Sequence, residues 1–155
     1  GVGGAFHRYC GMHFLAIAIA AVAGSMVALQ APINSALGKH TSVLGATVVS
    51  FAIGLATAIL VALGRGQLDG LAKAAEAPWW QLTGGILGAI FVALAITLVP
   101  KIGAMQFAAA AVMGQIIMSL VVDHYGWLGV PAHAASWERV LAVPLIGVAL
   151  WLSRR

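Results

Sequence analysis

The sequence contains little charge and almost no cysteine. Only 8% of its 155 residues are Asp, Glu, Lys or Arg, whereas soluble domains contain about 25%. Its hydrophobic content of 62% is too high for one soluble core of this size, so the surrounding medium must be lipid. Cys10 is the sole cysteine, which excludes a disulfide within the chain. These features predict an all-α membrane protein.

Motifs typical of enzymes and nucleic-acid-binding proteins are also missing. No G-x-x-x-x-G-K-[ST] phosphate loop occurs, so a gradient should supply any driving force. No Ser/His/Asp or Cys/His set lies within the apolar segments, and loop histidines such as His124 and His133 rarely bind a metal without a set of carboxylate or thiolate companions. Among the basic residues only Arg154 and Arg155 are adjacent, which does not make a nucleic-acid patch. We expect no enzyme activity, cofactor, metal or nucleic-acid partner.

The apolar residues form five segments that predict transmembrane helices in a single domain, residues 12–155. The last segment has its apolar core at 140–153, about 21 Å at 1.5 Å per residue, so residues 136–139 should lengthen it. Trp79 and Trp80 mark a return into the membrane at headgroup depth. The predicted spans are at about 13–37, 43–63, 79–99, 102–122 and 137–153.

Residues 1–11 differ from the rest of the chain because they have no hydrophobic period. Met12 opens the first apolar run, so we expect residues 1–11 to be a non-native or disordered N-terminal extension. A cleaved signal peptide is the competing interpretation, since Ala18-Ile19-Ala20 resembles a cleavage site. The apolar run continues well past that site, which favours an uncleaved helix.

The segment Gln30-Ala31-Pro32-Ile33-Asn34 places two amides and a proline deep in the first apolar run. Gln30 and Asn34 are four residues apart, so both lie on one helix face. Pro32 removes a backbone N–H, which predicts a kink or a loosened turn. Irregular backbone at membrane depth is tolerated where protein or a water-filled cavity satisfies it. The segment therefore predicts a transport pathway, and the alternative is that Gln30 and Asn34 form a buried pair of amides between helices.

Two further polar stripes follow helical spacing. One runs along the second span, and the other along the fourth span as Gln115, Ser119 and Asp123, in steps of four. Both stripes could instead serve hydrogen bonds between helices, and Asp123 could cap a helix end beside Tyr125 and Gly126. The second-span stripe consists of Thr47, Ser50, Gly54 and Thr57. The predicted substrate-binding residues are Gln30, Pro32, Asn34, Gln115, Ser119 and Asp123.

The basic residues are divided almost evenly between the two predicted membrane faces. Four of the eight Lys and Arg residues fall on each side of the five-span topology, so the positive-inside rule gives almost no orientation. If Met12 is the natural start, Arg8 is lost and the remaining four-to-three bias leans weakly towards a cytoplasmic C-terminus. Two copies inserted in opposite orientations would give ten helices around a midplane site, as in inverted-repeat transporters. We therefore expect a homodimer, with the antiparallel arrangement favoured.

Several motifs occur in a set order along the chain. They are Gln30–Leu37, Pro78-Trp79-Trp80 with Gly84, Gly85 and Gly88, Val99–Ala104, Gly114-Gln115 and Asp123–Gly126. In this order they resemble the YdcZ-type family of small five-helix bacterial inner-membrane proteins in the drug/metabolite transporter superfamily. The resemblance covers residues 12–152 and implies a fold like one half of the ten-helix, EamA-like members, together with a role in export. It implies no particular substrate.

The leading functional hypothesis is a secondary transporter or exporter of a small metabolite or drug-like molecule. In it, Gln30 and Asn34 line a cavity, Gln115 faces them, and Ser119 and Asp123 continue the polar track. The alternatives are a small channel and a non-transporting membrane partner subunit. No charged residue lies at the centre of a span, which weakens a charge-selective channel.

Overall fold

The computed structural model describes residues 2–133 and 136–152, with side chains from residue 12 onward except those of 138, 139, 142, 146 and 150. Within these ranges the chain is helical and contains no strand. Short 3₁₀ turns occur at Lys73–Glu76, Trp79–Thr83 and Trp127–Gly129. The α-helices are α1 (Val2–His40), α2 (Val43–Gly64), α3 (Asp69–Ala72), α4 (Gly84–Ile102), α5 (Ala104–Tyr125) and α6 (Trp137–Leu152).

The chain divides into two compact units, Gly1–Thr97 and Leu98–Arg155. In the first unit α1 packs against α2, and only Thr41 and Ser42 separate the two helices. The Ser42 hydroxyl accepts a hydrogen bond from the backbone N–H of Gly45 at 3.0 Å, which caps the start of α2. The Thr41 hydroxyl donates to the carbonyl of Leu37 at 3.1 Å. The two helices therefore form a tight antiparallel hairpin.

The buried core of the first unit lies where α4 joins this hairpin. Ala46, Val92 and Ile96 form its centre, and Leu37 and Phe91 pack against it. Gly38 permits the close approach, because a Cβ on this residue would lie 2.6 Å from Cγ2 of Ile96. Small residues thus allow α1 and α4 to pack closely, as helices in membranes commonly do.

The connection between α4 and α5 is a single residue, Gly103. Its φ of 83° lies in a region that side-chain-bearing residues rarely adopt, so glycine is needed here. Pro100, where the sequence predicted the break, lies inside α4. A proline in the last turn removes only the N–H that would bond the carbonyl of Ile96, so the helix continues to Ile102.

The second unit contains α5 and α6, which pack against each other. Gly126 ends α5 in the left-handed conformation, and its N–H bonds the carbonyl of Val122. The rings of Tyr125 and Trp127 stack at a centroid distance of 5.2 Å just beyond this end. Aromatic side chains of this kind favour the headgroup region of a bilayer.

Four helical segments in the described part of the chain are long and apolar enough to cross a membrane. They are Met12–His40, Val43–Gly64, Trp79–Ile102 and Ala104–Tyr125. The fifth predicted span corresponds to α6, whose 16 residues extend about 24 Å. This length is below the hydrocarbon thickness of about 30 Å. The all-helical membrane architecture is confirmed, whereas the fifth span stays a prediction.

The bounds of α1 reach beyond the predicted span of 13–37, and the kink or loosened turn expected at Pro32 stays a prediction. The helix begins at Val2, before Met12, and it continues through Pro32 without interruption. The loss of one backbone hydrogen bond at Pro32 does not end a helix that has many turns on either side. Whether residues 1–11 form a non-native extension stays a prediction.

Candidate functional site

A groove of about 380 Å³ lies in the first unit between α1 and α2. Helix α1 contributes one lining residue to the groove, Gln30, and all other lining residues come from α2. The α2 residues lie on two adjacent stripes of i, i+4 spacing, which together make one helix face. They are Ser50, Phe51, Gly54, Leu55 and Ala58.

The groove lies near the middle of the membrane span. The 22 residues of α2 rise about 33 Å, close to the hydrocarbon thickness. The groove occupies α2 from Ser50 to Ala58, which is centred on the helix. Lys39 lies in the last turn of α1, and Arg65 directly follows α2. These two cations flank the groove at opposite ends of α2, at the membrane edges. A solute in the groove would therefore lie far from either aqueous phase.

Small residues and one fixed ring shape the groove. Gly54 has no atom within 4 Å of the position that a Cβ would take, so open space faces it. The ring of Phe51 is held against α4, because a Cβ on Gly88 would lie 3.3 Å from its Cζ atom. Because Gly88 has no side chain, the Phe51 ring can lie close to the backbone of α4. The packing of α4 therefore helps to set one wall of the groove.

Asn34 lies one helical turn beyond Gln30 and is buried, with 5% of its surface exposed. It does not line the groove. Its side-chain Nδ2 has no hydrogen-bond partner among the described residues. An unsatisfied buried donor costs about 1–3 kcal/mol, so such groups are rare in folded proteins and call for an explanation.

The hydroxyl groups of α2 divide into two kinds. Thr47 and Thr57 each donate to the carbonyl four residues earlier, at 2.8 Å, so their hydroxyls bond their own helix. The alternative that these residues bond a neighbouring helix is therefore wrong for these two donors. Ser50 differs, because neither its hydroxyl nor the amide of Gln30 has a partner in the described part of the chain. Both groups are free to bond a solute in the groove.

The predicted residues of α5 belong to the second unit. Gln115 and Ser119 are exposed, and Asp123 is partly exposed in the last turn of the helix. The backbone carbonyl of Asp123 accepts a hydrogen bond from the N–H of His133 at 2.8 Å, which ties the following loop to the helix end. The expectation that Gln115 faces Gln30 stays a prediction.

A comparison with protein families identifies the chain. Residues 15–152 match the family described as "Putative inner membrane exporter, YdcZ". The chain belongs to the YdcZ family. The family and the four membrane-length helices of the described residues together make it a multi-pass inner-membrane protein. Searches among curated proteins and solved structures give no match.

Sequence reasoning found part of the groove in this YdcZ-family chain. Gln30 was predicted from its amide at membrane depth, and Ser50 and Gly54 were recognised as a polar and small-residue stripe. Phe51, Leu55 and Ala58 were missed. The continuation of the stripe from Gly54 to Ala58 was a usable signal for the last of these. For Phe51 and Leu55 the sequence gives no signal, because apolar residues cover most of α2 and these two do not differ from the rest.

Proposed function

We propose that the chain is a secondary exporter of a small metabolite or drug-like molecule, which binds in the groove between α1 and α2. The observation that carries this proposal is the pair of unpartnered polar groups, Gln30 and Ser50, in an open groove at mid-membrane depth. Intramembrane polar groups without a structural role commonly mark a substrate pathway. Membership of an inner-membrane exporter family agrees with this assignment.

Asn34 supports a mechanism with two arrangements of α1. Alternating access needs an element with two discrete arrangements. The arrangement described here leaves Nδ2 of Asn34 buried and unpaired, which costs about 1–3 kcal/mol. A second arrangement that pairs this donor would recover that free energy. Asn34 would then act as a positioning residue that balances the two states, while Gln30 contacts the solute.

The proposed working unit is a homodimer of five-span chains, with the two copies antiparallel. Each chain would correspond to one half of a ten-helix transporter, and α6 would be the fifth span. The near-equal division of Lys and Arg between the two predicted faces supports insertion in both orientations. A bilayer can thin locally around a short span, at a cost of fractions of a kcal/mol per Å.

The test is a flux measurement with the full chain in liposomes. A thermal-shift screen against metabolites and cationic drugs first selects the compound that stabilises the wild-type chain most. Gln30→Leu/Asn34→Leu should reduce flux of that compound to the level of protein-free liposomes. Ser25→Leu is the matched control, because Ser25 is an exposed polar residue of α1 outside the groove. It should retain wild-type flux.

Three results would contradict the proposal. Undiminished flux in the double variant, at equal protein incorporation, would remove the groove from the pathway. Flux that rises linearly with substrate concentration and never saturates would favour a channel instead. Purification with an unrelated protein in fixed stoichiometry, combined with no flux in liposomes, would favour a partner subunit.

A further inference from the structure

We infer that the solute admitted by the groove is uncharged and amphiphilic, with one apolar face and one polar end that both donates and accepts hydrogen bonds. This inference rests on the proposed function, since it names the class of molecule that the same groove takes. It follows from three properties of the lining: its lack of charge, the chemistry of its two polar groups and the shape of its apolar wall.

The first property is the absence of any countercharge. Between Met12 and Gly64 the ionisable residues are His13, Lys39 and His40, and none of them lines the groove. Gln30 precedes Lys39 by nine residues on α1, about 13 Å along the helix axis. A charged solute at this depth would lose its hydration without gaining an ion pair, which is strongly unfavourable. A neutral solute avoids this cost.

The second property is that both polar groups of the groove can donate and accept. The Gln30 side chain has an NH₂ donor and a carbonyl acceptor, and the Ser50 hydroxyl has one donor and two lone pairs. Neither has a partner within the described residues. A primary amide or a similar neutral group would pair with both. A carboxylate has no proton to donate to the acceptors of Gln30 and Ser50, and an ammonium has no lone pair to accept from their donors.

The third property is the apolar wall. Phe51 and Leu55 form one stripe, and Gly54 and Ala58 leave space beside it. The volume of about 380 Å³ is at the lower end of the range of about 300–1,000 Å³ for small-molecule sites. A single ring with a short polar group fits this space and can lie against the ring of Phe51.

Three isosteric probes separate charge from shape. Benzamide is neutral, benzamidine is a cation at pH 7 and benzoate is an anion, and all three have the same ring and a planar polar group. Their binding to the purified full chain in detergent can be measured by saturation-transfer NMR and competition. We expect benzamide to bind at least tenfold more tightly than either ion.

A pair of glycine variants tests whether the binding occurs in the groove. Gly54→Leu should fill the groove and weaken benzamide binding at least tenfold, and it should fold because open space faces Gly54. Gly24→Leu is the matched control, since Gly24 is also a helical glycine facing open space but lies outside the groove. It should bind benzamide like the wild type. Thermal unfolding of both variants checks that they are folded.

Several outcomes would overturn the inference. Binding of benzamidine or benzoate as tight as that of benzamide would show that charge is tolerated. Equal benzamide binding by Gly54→Leu and wild type would place the probe elsewhere. No benzamide binding at all, with a detergent or lipid acyl chain held in the groove, would assign the groove to lipid. None of these results alters the flux comparison of the Gln30 and Asn34 variants, so the proposed export function would fail or stand separately.

Discussion

Asn34 shows how a single side chain can oppose the stability of the fold that contains it. Its neighbours Ala31 and Ser35 are buried on the same face of α1, so water does not reach the amide readily. The donor Nδ2 has lost its hydration without gaining a partner among the described residues. Selection for packing alone would favour an apolar residue at this position, so the amide points to a functional requirement.

We predict that Asn34→Leu maintains or raises the stability of the chain while it lowers transport. Leucine has the same branching and the same number of side-chain heavy atoms, and it has no unsatisfied donor, so the variant should be as stable as the wild type or more stable, by up to about 1–3 kcal/mol. Thermal unfolding in detergent measures this effect. Liposome flux should fall in the same variant. Asn34→Asp is a useful contrast, because it keeps the shape but buries an acid and should destabilise the chain. A less stable Asn34→Leu with unchanged flux would contradict the prediction.

At the scale of helices, the approach of α4 to the α1–α2 hairpin depends on Gly38. No side chain separates its backbone from Ile96, which is buried and β-branched. Such a side chain has few alternative rotamers and cannot move aside easily. The contact fixes the position of α4, and α4 in turn holds the Phe51 ring through Gly88. The shape of the groove therefore depends on a contact outside it.

We predict that Gly38→Ala destabilises the chain by about 1–3 kcal/mol, because the added methyl group overlaps Cγ2 of Ile96. The clash should be relieved in Gly38→Ala/Ile96→Ala, so the double variant should be less destabilised than the sum of the two single variants. Gly24→Ala, which adds a methyl group in open space, should be neutral. Thermal unfolding of the four variants is the measurement. Additive effects would refute the contact.

Helix positions could be predicted from the sequence better than the groove. The bounds of α2 agree with the predicted span to within a residue, because Ser42 supplies a cap and Gly64 to Gly66 supply a stop. The end of α4 was misplaced because Pro100 was given more weight than Gly103. The groove depends on which face of α2 meets α1, and an apolar face gives no signal about its neighbour. Only Gln30, Ser50 and Gly54 among the lining residues of the groove could be recognised from the sequence.

At the scale of the whole molecule, the weak charge bias is the feature with the largest consequence. The eight Lys and Arg residues are divided four and four between the predicted faces, so the positive-inside rule predicts little orientational preference on insertion. In the proposed dimer, two oppositely inserted copies would together enclose the pathway. Dual insertion would supply an inverted repeat without gene fusion.

We predict that a cysteine at one membrane face is labelled from both sides of the membrane. The background is Cys10→Ser, which removes the sole native thiol. Lys39→Cys should react with an impermeant maleimide in both right-side-out and inside-out vesicles, about half of the chains in each, since the charge bias is almost nil. Arg65→Cys lies at the opposite end of α2 and should give the complementary fractions. Labelling of Lys39→Cys from one side alone would exclude dual insertion.

The two-residue link at Thr41 and Ser42 has a consequence for biogenesis. Every residue that lines the groove lies between Gln30 and Ala58, in two helices that are neighbours along the chain. These helices can associate as a hairpin while the ribosome is still translating the later segments, since local contacts form first. The part of the solute-binding surface that α1 and α2 supply would thus form early, and α4, whose Gly88 adjoins the Phe51 ring, would complete one wall of the groove later.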